Sequence, residues 1–145
     1  MLLNPFLLEK AFIQARREVP RDLGEKMKNR RRNALKKACE RLIENPYIDY
    51  ENGKMLILSD SVTDNGEAKF YRTSAQECRL IEPGNVLCHA FWDGYPCWHR
   101  ATLEIVENYL LIESNFKGER IKTVDNVNSL GVAGVNTLRV FLESL

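Results

Sequence analysis

"CRLIEPGNVLCHAFWDGYPCWHR", residues 78–100, holds three of the four cysteines and both histidines of a 145-residue chain. The spacing is Cys78-x9-Cys88-x8-Cys97-x-His99. Glu82-Pro83-Gly84-Asn85 is a turn signal. Folding the chain there brings Cys78 and Cys88 to the open ends of a hairpin, on neighbouring strands. Cys97 and His99 are two residues apart, so an extended segment entering a helix after His99 carries both on one side. Two ligand pairs converging from a hairpin and a helix start suit a closed zinc site, with no open position for a catalytic water.

Other readings of the cluster are weaker. A Cys78–Cys88 disulfide is geometrically conceivable but disfavoured in a reducing compartment. An iron–sulfur cluster usually takes four cysteines, and Cys39 is far away on a helix. A catalytic Cys–His pair needs an activating environment that the sequence does not display. His89 is the alternative to His99, although its place beside Cys88 turns it toward the other side of the strand.

Upstream of the cluster the apolar pattern is that of strands. "YIDYENGKMLIL" contains Asn52-Gly53, a two-residue hairpin signal, and "SVTDNGEAKFYRTS" repeats it with Asn65-Gly66. Residues 47–74 therefore read as a three-stranded antiparallel meander. Downstream, "HRATLEIVENYLLIE" has helical spacing: Ala101, Ile105, Tyr109 and Ile112 share a face that Leu103, Val106 and Leu110 widen. A short strand at 121–124 and a short terminal helix carrying Leu138, Phe141, Leu142 and Leu145 complete the pattern.

The N-terminal third is helical and basic. Asn4-Pro5 is a helix start, and that helix ends near Val19-Pro20. A longer helix begins near Asp22 and stops at Asn45-Pro46, with Leu23, Met27, Leu35, Ala38, Cys39, Leu42 and Ile43 as its apolar stripe. Cys39 is read as a small buried hydrophobe. Residues 1–45 carry 12 Lys and Arg against 6 Asp and Glu, while residues 46–145 carry 9 against 14. Within "KNRRRNALKK", residues 28–37, Lys28, Arg31, Arg32 and Lys36 lie toward one face, and no acid falls between Lys26 and Lys37. Such a face can meet phosphates, so DNA or RNA is the expected partner, with a protein partner as the alternative. Arg79, Trp98 and Arg100 beside the ligands extend this candidate interface, with Trp98 facing away from the metal.

The composition, 44% apolar and 28% charged, is that of an ordinary globular protein. No apolar run is long enough to span a membrane. The opening "MLLNPFLLEKAF" lacks the basic flank and cleavage site of a signal peptide, so a cytoplasmic protein is expected. No phosphate-binding loop, nucleophile elbow or His-Glu-x-x-His is present, and Asp60, Asp64 and Glu67 lie beside a turn; an enzyme is not expected.

"CHAFWDGYPCWHRATLEIV", residues 88–106, resembles the second half of a SWIM-type zinc finger. In that family a Cys-x-Cys is followed by a loop, then Cys-x-His and a helix. Cys88, Phe91, Gly94, Pro96, Cys97 and His99 stand where the family has its second cysteine, loop aromatic, Gly-x-Pro and final ligand pair. Val86 occupies the place of the first cysteine, and Cys78 substitutes for it through the hairpin. The resemblance covers roughly residues 69–110 and implies a zinc-binding module that contacts DNA or protein. The expected architecture is α+β: a basic helical region at 1–45, a small antiparallel meander with a zinc knuckle packed on the following helix at 46–114, and an extension at 115–145.

Overall fold

A computed structural model of the protein describes residues 1–116, 142, 143 and 145. Helix α1 (Pro5–Arg17) starts where Asn4 Oδ1 accepts the Phe6 and Leu7 N–H groups at 2.9 and 3.3 Å. Helix α2 (Glu25–Glu44) begins three residues later than Asp22, because the cap falls to Gly24. Its buried residues, Ala34, Leu35, Ala38, Cys39, Leu42 and Ile43, all lie from Ala34 onward. No residue of α2 before Ala34 is fully buried, and most of its basic residues gather there.

Strands β1 (Asp49–Glu51), β2 (Lys54–Val62), β3 (Ala68–Thr73), β4 (Cys78–Glu82) and β5 (Val86–Leu87) form an antiparallel sheet in sequence order. Asn52 and Gly53, at φ 51° and 78°, make the expected two-residue turn. The second Asn-Gly differs. Only Gly66 is left-handed, and the Gly66 and Thr63 amides bond to Thr63 O and Glu67 O, so the turn is longer than Asn-Gly alone suggested. The Glu82–Pro83 peptide bond is cis.

The sheet register decides which side chains face inward. Met55 pairs with Thr73, and Thr73 with Cys78; Ile57 pairs with Tyr71, and Tyr71 with Leu80. Cross-strand partners share a face, so buried Met55 and Ile57 define the face on which Cys78 also lies. Short α3 (His89–Trp92) precedes α4 (Trp98–Phe116), which packs against α1, α2 and the sheet. The fold is thus α+β, with one core built from α1, α2, β2 and α4 and closed by Leu142. The expected strand at 121–124 and most of the expected terminal helix lie outside the described residues.

Two polar contacts lock the helices. Tyr109 Oη, on a side chain 1% exposed, accepts the Asn4 N–H at 2.8 Å and ties the start of α1 to α4. Arg31 reaches across three helices. It donates to both carboxylate oxygens of Glu104 on α4, at 2.6 and 3.1 Å, and to the Ala15 and Glu18 carbonyls at 2.8 and 2.6 Å. Those carbonyls belong to the C-terminal end of α1, where helical partners run out. Burial raises the Glu104 carboxyl above its ordinary range, and the Arg31 charge only partly reverses this. Near the sheet, burial works to raise the Asp60 carboxyl, but bonds and charges from Lys37 and Arg41, at 3.1 and 2.8 Å, outweigh it and hold it low. The candidate phosphate contact Arg31 is therefore an internal clamp, its side chain 12% exposed.

Arg31→Met should lower stability by about 1–3 kcal/mol, because it strands two carbonyls and a half-buried carboxylate. Arg32→Met, at an exposed position, should cost less than about 0.5 kcal/mol. Urea unfolding of both variants tests this; equal losses would contradict the clamp.

Candidate metal centre

Three separate pieces of chain deliver the four side chains. Cys78 opens β4, with its direction set by the pairing to Thr73. The Cys88 N–H donates to Cys78 O at 2.9 Å, so the hairpin carries Cys88 alongside Cys78 as the turn at 82–85 requires. Cys88 then becomes the residue from which α3 starts. Gly94, at φ 78°, ends α3: the Gly94 and Tyr95 amides bond back to Phe91 O and Ala90 O at 3.0 and 2.8 Å. That reversal returns the chain to Cys97.

Cys97 caps α4. Its carbonyl accepts the Ala101 N–H at 3.1 Å, and its sulfur accepts the Arg100 N–H at 3.4 Å. His99 therefore sits inside the first turn of α4, and not on an extended segment as the two-residue spacing suggested. His99 Nδ1 lies 3.8 Å from Cys88 Sγ.

The ligand atoms of Cys78, Cys88, Cys97 and His99 lie within 4.8 Å of one another, and all four residues are buried. A tetrahedral ion bonded to sulfur and nitrogen at about 2.0–2.3 Å needs ligand–ligand edges of roughly 3.4–3.8 Å. The donor set fits such an ion with a small contraction. His89 is excluded: its side chain is 94% exposed and pairs with Asp93 at 3.0 Å. All four cysteines are free thiols.

The electrostatics favour one thiolate before any metal arrives. Hydrogen bonds from Cys78 and Cys97 pull the Cys88 thiol well below its ordinary value, helped by His99 and the Phe91 amide. The same hydrogen bond to Cys88, together with one to Cys97 and burial, pushes Cys78 up. Cys97 is pulled down by Cys78, but its bond to Cys88 and its burial win, and it too is raised. Cys39 belongs elsewhere. Burial lifts its thiol to about 12, ahead of the charges of Glu40 and Glu9, as befits a core hydrophobe.

The remaining candidates are dispersed. Lys28 pairs with Glu25 at 3.6 Å. Arg32 is exposed and bonds Asn29 at 2.8 Å, while Lys36 is half-buried. Arg79 pairs with Glu77 at 3.2 Å. Arg100 donates to Ala75 O at 2.8 Å and covers the Phe91 ring at 5.2 Å. Trp98 does not turn outward. It packs on the main core, with its ring 4.3 Å from that of His99 and Lys37 5.2 Å above it. Asp60 is occupied by its two cations, and Asp64 and Glu67 remain on an exposed turn.

Two participants escaped the sequence reading. Tyr71 stacks on His99 at 3.9 Å, 18° from parallel, and packs with Ala90 and Phe91 around the cysteines. Its signal was strand alternation: Tyr71 is two residues before Thr73, which opposes Cys78. Arg30 lies 3.9 Å over the Tyr95 ring, a contact between α2 and the knuckle that no local pattern announces. Between these elements runs a cleft of about 740 Å³, bounded by Met27 and Arg31, by Phe91 and Tyr95, and by Glu104 and Asn108.

Freshly purified, reduced protein should hold one metal ion per chain, and Cys97→Ser or His99→Ala should lose it. Elemental analysis checks this, and thermal unfolding with and without a chelator reports the coupled stability. Retention of metal by either variant would remove that side chain from the ligand set. Because Cys78 and Cys97 are raised, they are protonated at neutral pH and must give up protons to a metal. Metal addition to weakly buffered protein should therefore release protons, and apparent affinity should rise from pH 6 to 8. An affinity independent of pH would contradict the thiolate set.

Comparison with models of known protein families, with curated proteins and with solved structures finds no match for this chain. The chemistry of the site is accordingly read from its own side chains.

Proposed function

We propose that the protein is a zinc-dependent, non-catalytic nucleic-acid-binding module. The observation that carries the metal part is the convergence of three buried cysteines and one histidine, all within 4.8 Å. Three thiolates and an imidazole select zinc over hard cations, and four protein ligands close the coordination sphere. Bound zinc supplies folding energy there: structural sites of this type are worth roughly 10–16 kcal/mol in small fingers. The arrangement resembles a SWIM-type finger whose first ligand, Cys78, comes from a hairpin in place of Cys-x-Cys.

Nucleic acid is the partner this reading favours because the solvent-facing half of α2 is basic. No Asp or Glu lies between Lys26 and Lys37, and Arg30 and Arg32 are exposed. Neutralising phosphates releases counterions, so such binding weakens steeply with salt. No helix among the described residues is long and apolar enough to cross a membrane.

A second reading, protein docking, draws on the outer surface of the sheet. Leu58 and Val62 on β2 are each more than half exposed. A scaffold that meets a protein through this face would copurify with it after nuclease treatment.

The test is a salt titration of DNA and RNA binding by the zinc-loaded protein. Binding should be measurable at low salt, weaken as salt rises, and weaken further in Arg32→Ala/Lys36→Ala, with a shallower salt slope. Absence of binding at low salt, or an unaltered slope in the double variant, would overturn the nucleic-acid reading and leave the zinc reading standing.

A further inference from the structure

Trp92 is 74% exposed, the most exposed large hydrophobic side chain among the described residues. Its setting makes that exposure informative. Trp92 lies on the segment 89–96, which is anchored at both ends by the ligands Cys88 and Cys97. The interior of the knuckle is already filled by Ala90, Phe91 and Tyr71 packed around the cysteines. Trp92 therefore adds nothing to that core, yet it ends the single turn of α3, where its N–H donates to Cys88 O at 2.8 Å.

Three residues on, Tyr95 is 38% exposed and fixed from two directions. Its amide bonds Ala90 O at 2.8 Å, and the Arg30 guanidinium lies over its ring at 3.9 Å. Arg30 is exposed and belongs to the acid-free basic run of α2. The cationic helix and the aromatic loop are thus joined by a direct stack. The nearest acid in sequence, Asp93, is paired with His89.

We propose that this surface binds single-stranded nucleic acid, with Trp92 and Tyr95 as stacking faces for unpaired bases and the first half of α2 along the phosphates. This deepens the nucleic-acid reading above and rests on it. The argument is one of matching chemistry. A duplex hides the faces of its bases inside the stack, so exposed rings on a fixed loop gain nothing from it. An unpaired base offers its π-face to an aromatic ring, and the neighbouring guanidinium adds a cation–π contribution. The charge of α2 is complementary to the backbone that links such bases.

The experiment compares a fluorescently labelled oligothymidylate with a duplex of equal length, using the full, zinc-loaded chain at low salt. The single strand should bind at least about tenfold tighter. Trp92→Ala should weaken single-strand binding by about 5- to 150-fold and leave duplex binding and zinc content unchanged. Trp92→Phe should restore most of the loss, which a purely structural role would not predict. Equal or tighter binding of the duplex, or an unchanged single-strand affinity in Trp92→Ala, overturns the proposal while sparing nucleic-acid binding itself. If neither nucleic acid binds at low salt, both readings fall. Loss of a copurifying protein in Trp92→Ala, with single-strand affinity intact, assigns the surface to protein docking.

Discussion

Helix α4 cannot be placed without placing everything else. Ala101, Leu103, Ile105, Val106 and Tyr109 are buried along it, toward α1, α2 and the sheet, so it is apolar on most sides. Its first turn carries Cys97 as cap and His99 as the second helical residue. The packing of the core and the position of two ligands are therefore one constraint. Moving α4 along its axis to relieve the core would draw His99 away from Cys88. Filling the site holds the start of α4 at the end of the β4–β5 hairpin.

Charge is divided on the same helix pair. Arg31 and Arg32 are adjacent in sequence, yet Arg31 closes the end of α1 and grips Glu104, while Arg32 faces water. The difference is one of helical phase. A step of about 100° carries one guanidinium from the three-helix seam to the exposed side. The ion pair is tolerable because the guanidinium finds four oxygen partners, which offset its desolvation. The basic half of α2 is thus partly scaffold and partly surface, and its contact with Tyr95 carries the surface on into the knuckle.

Much of the fold was legible because the signals were local. Asn4-Pro5 and Asn52-Gly53 act through the conformations of their own residues. The apolar stripe of α2 and the alternation at the start of β2 report a single buried face. Cysteine and histidine types, with a turn between Cys78 and Cys88, pointed to the ligand set. The misreadings share a cause. The start of α2 falls three residues beyond Asp22, with Gly24 as the cap residue. His99 entered a helix because Cys97 had the hydrogen-bonding geometry of a cap, a role that serine or aspartate more often fills. Trp98 was expected outside because neighbours in a strand alternate, but in a helical turn Trp98 and His99 are about 100° apart and their rings meet.

By itself, then, the sequence determined the main helices, the antiparallel meander and the residue types of the candidate metal site, since each depends on a few consecutive residues. Tertiary structure alone decided which arginine is enclosed and which aromatics are exposed. These depend on register and on helix packing: a slip of one residue between β3 and β4 would turn Cys78 to the outer face. The spacing favoured His99 over His89, and the fold supplies the reason. One is carried into the core by the capped turn of α4, and the other is left in water beside Asp93, because the chain reverses at Gly94.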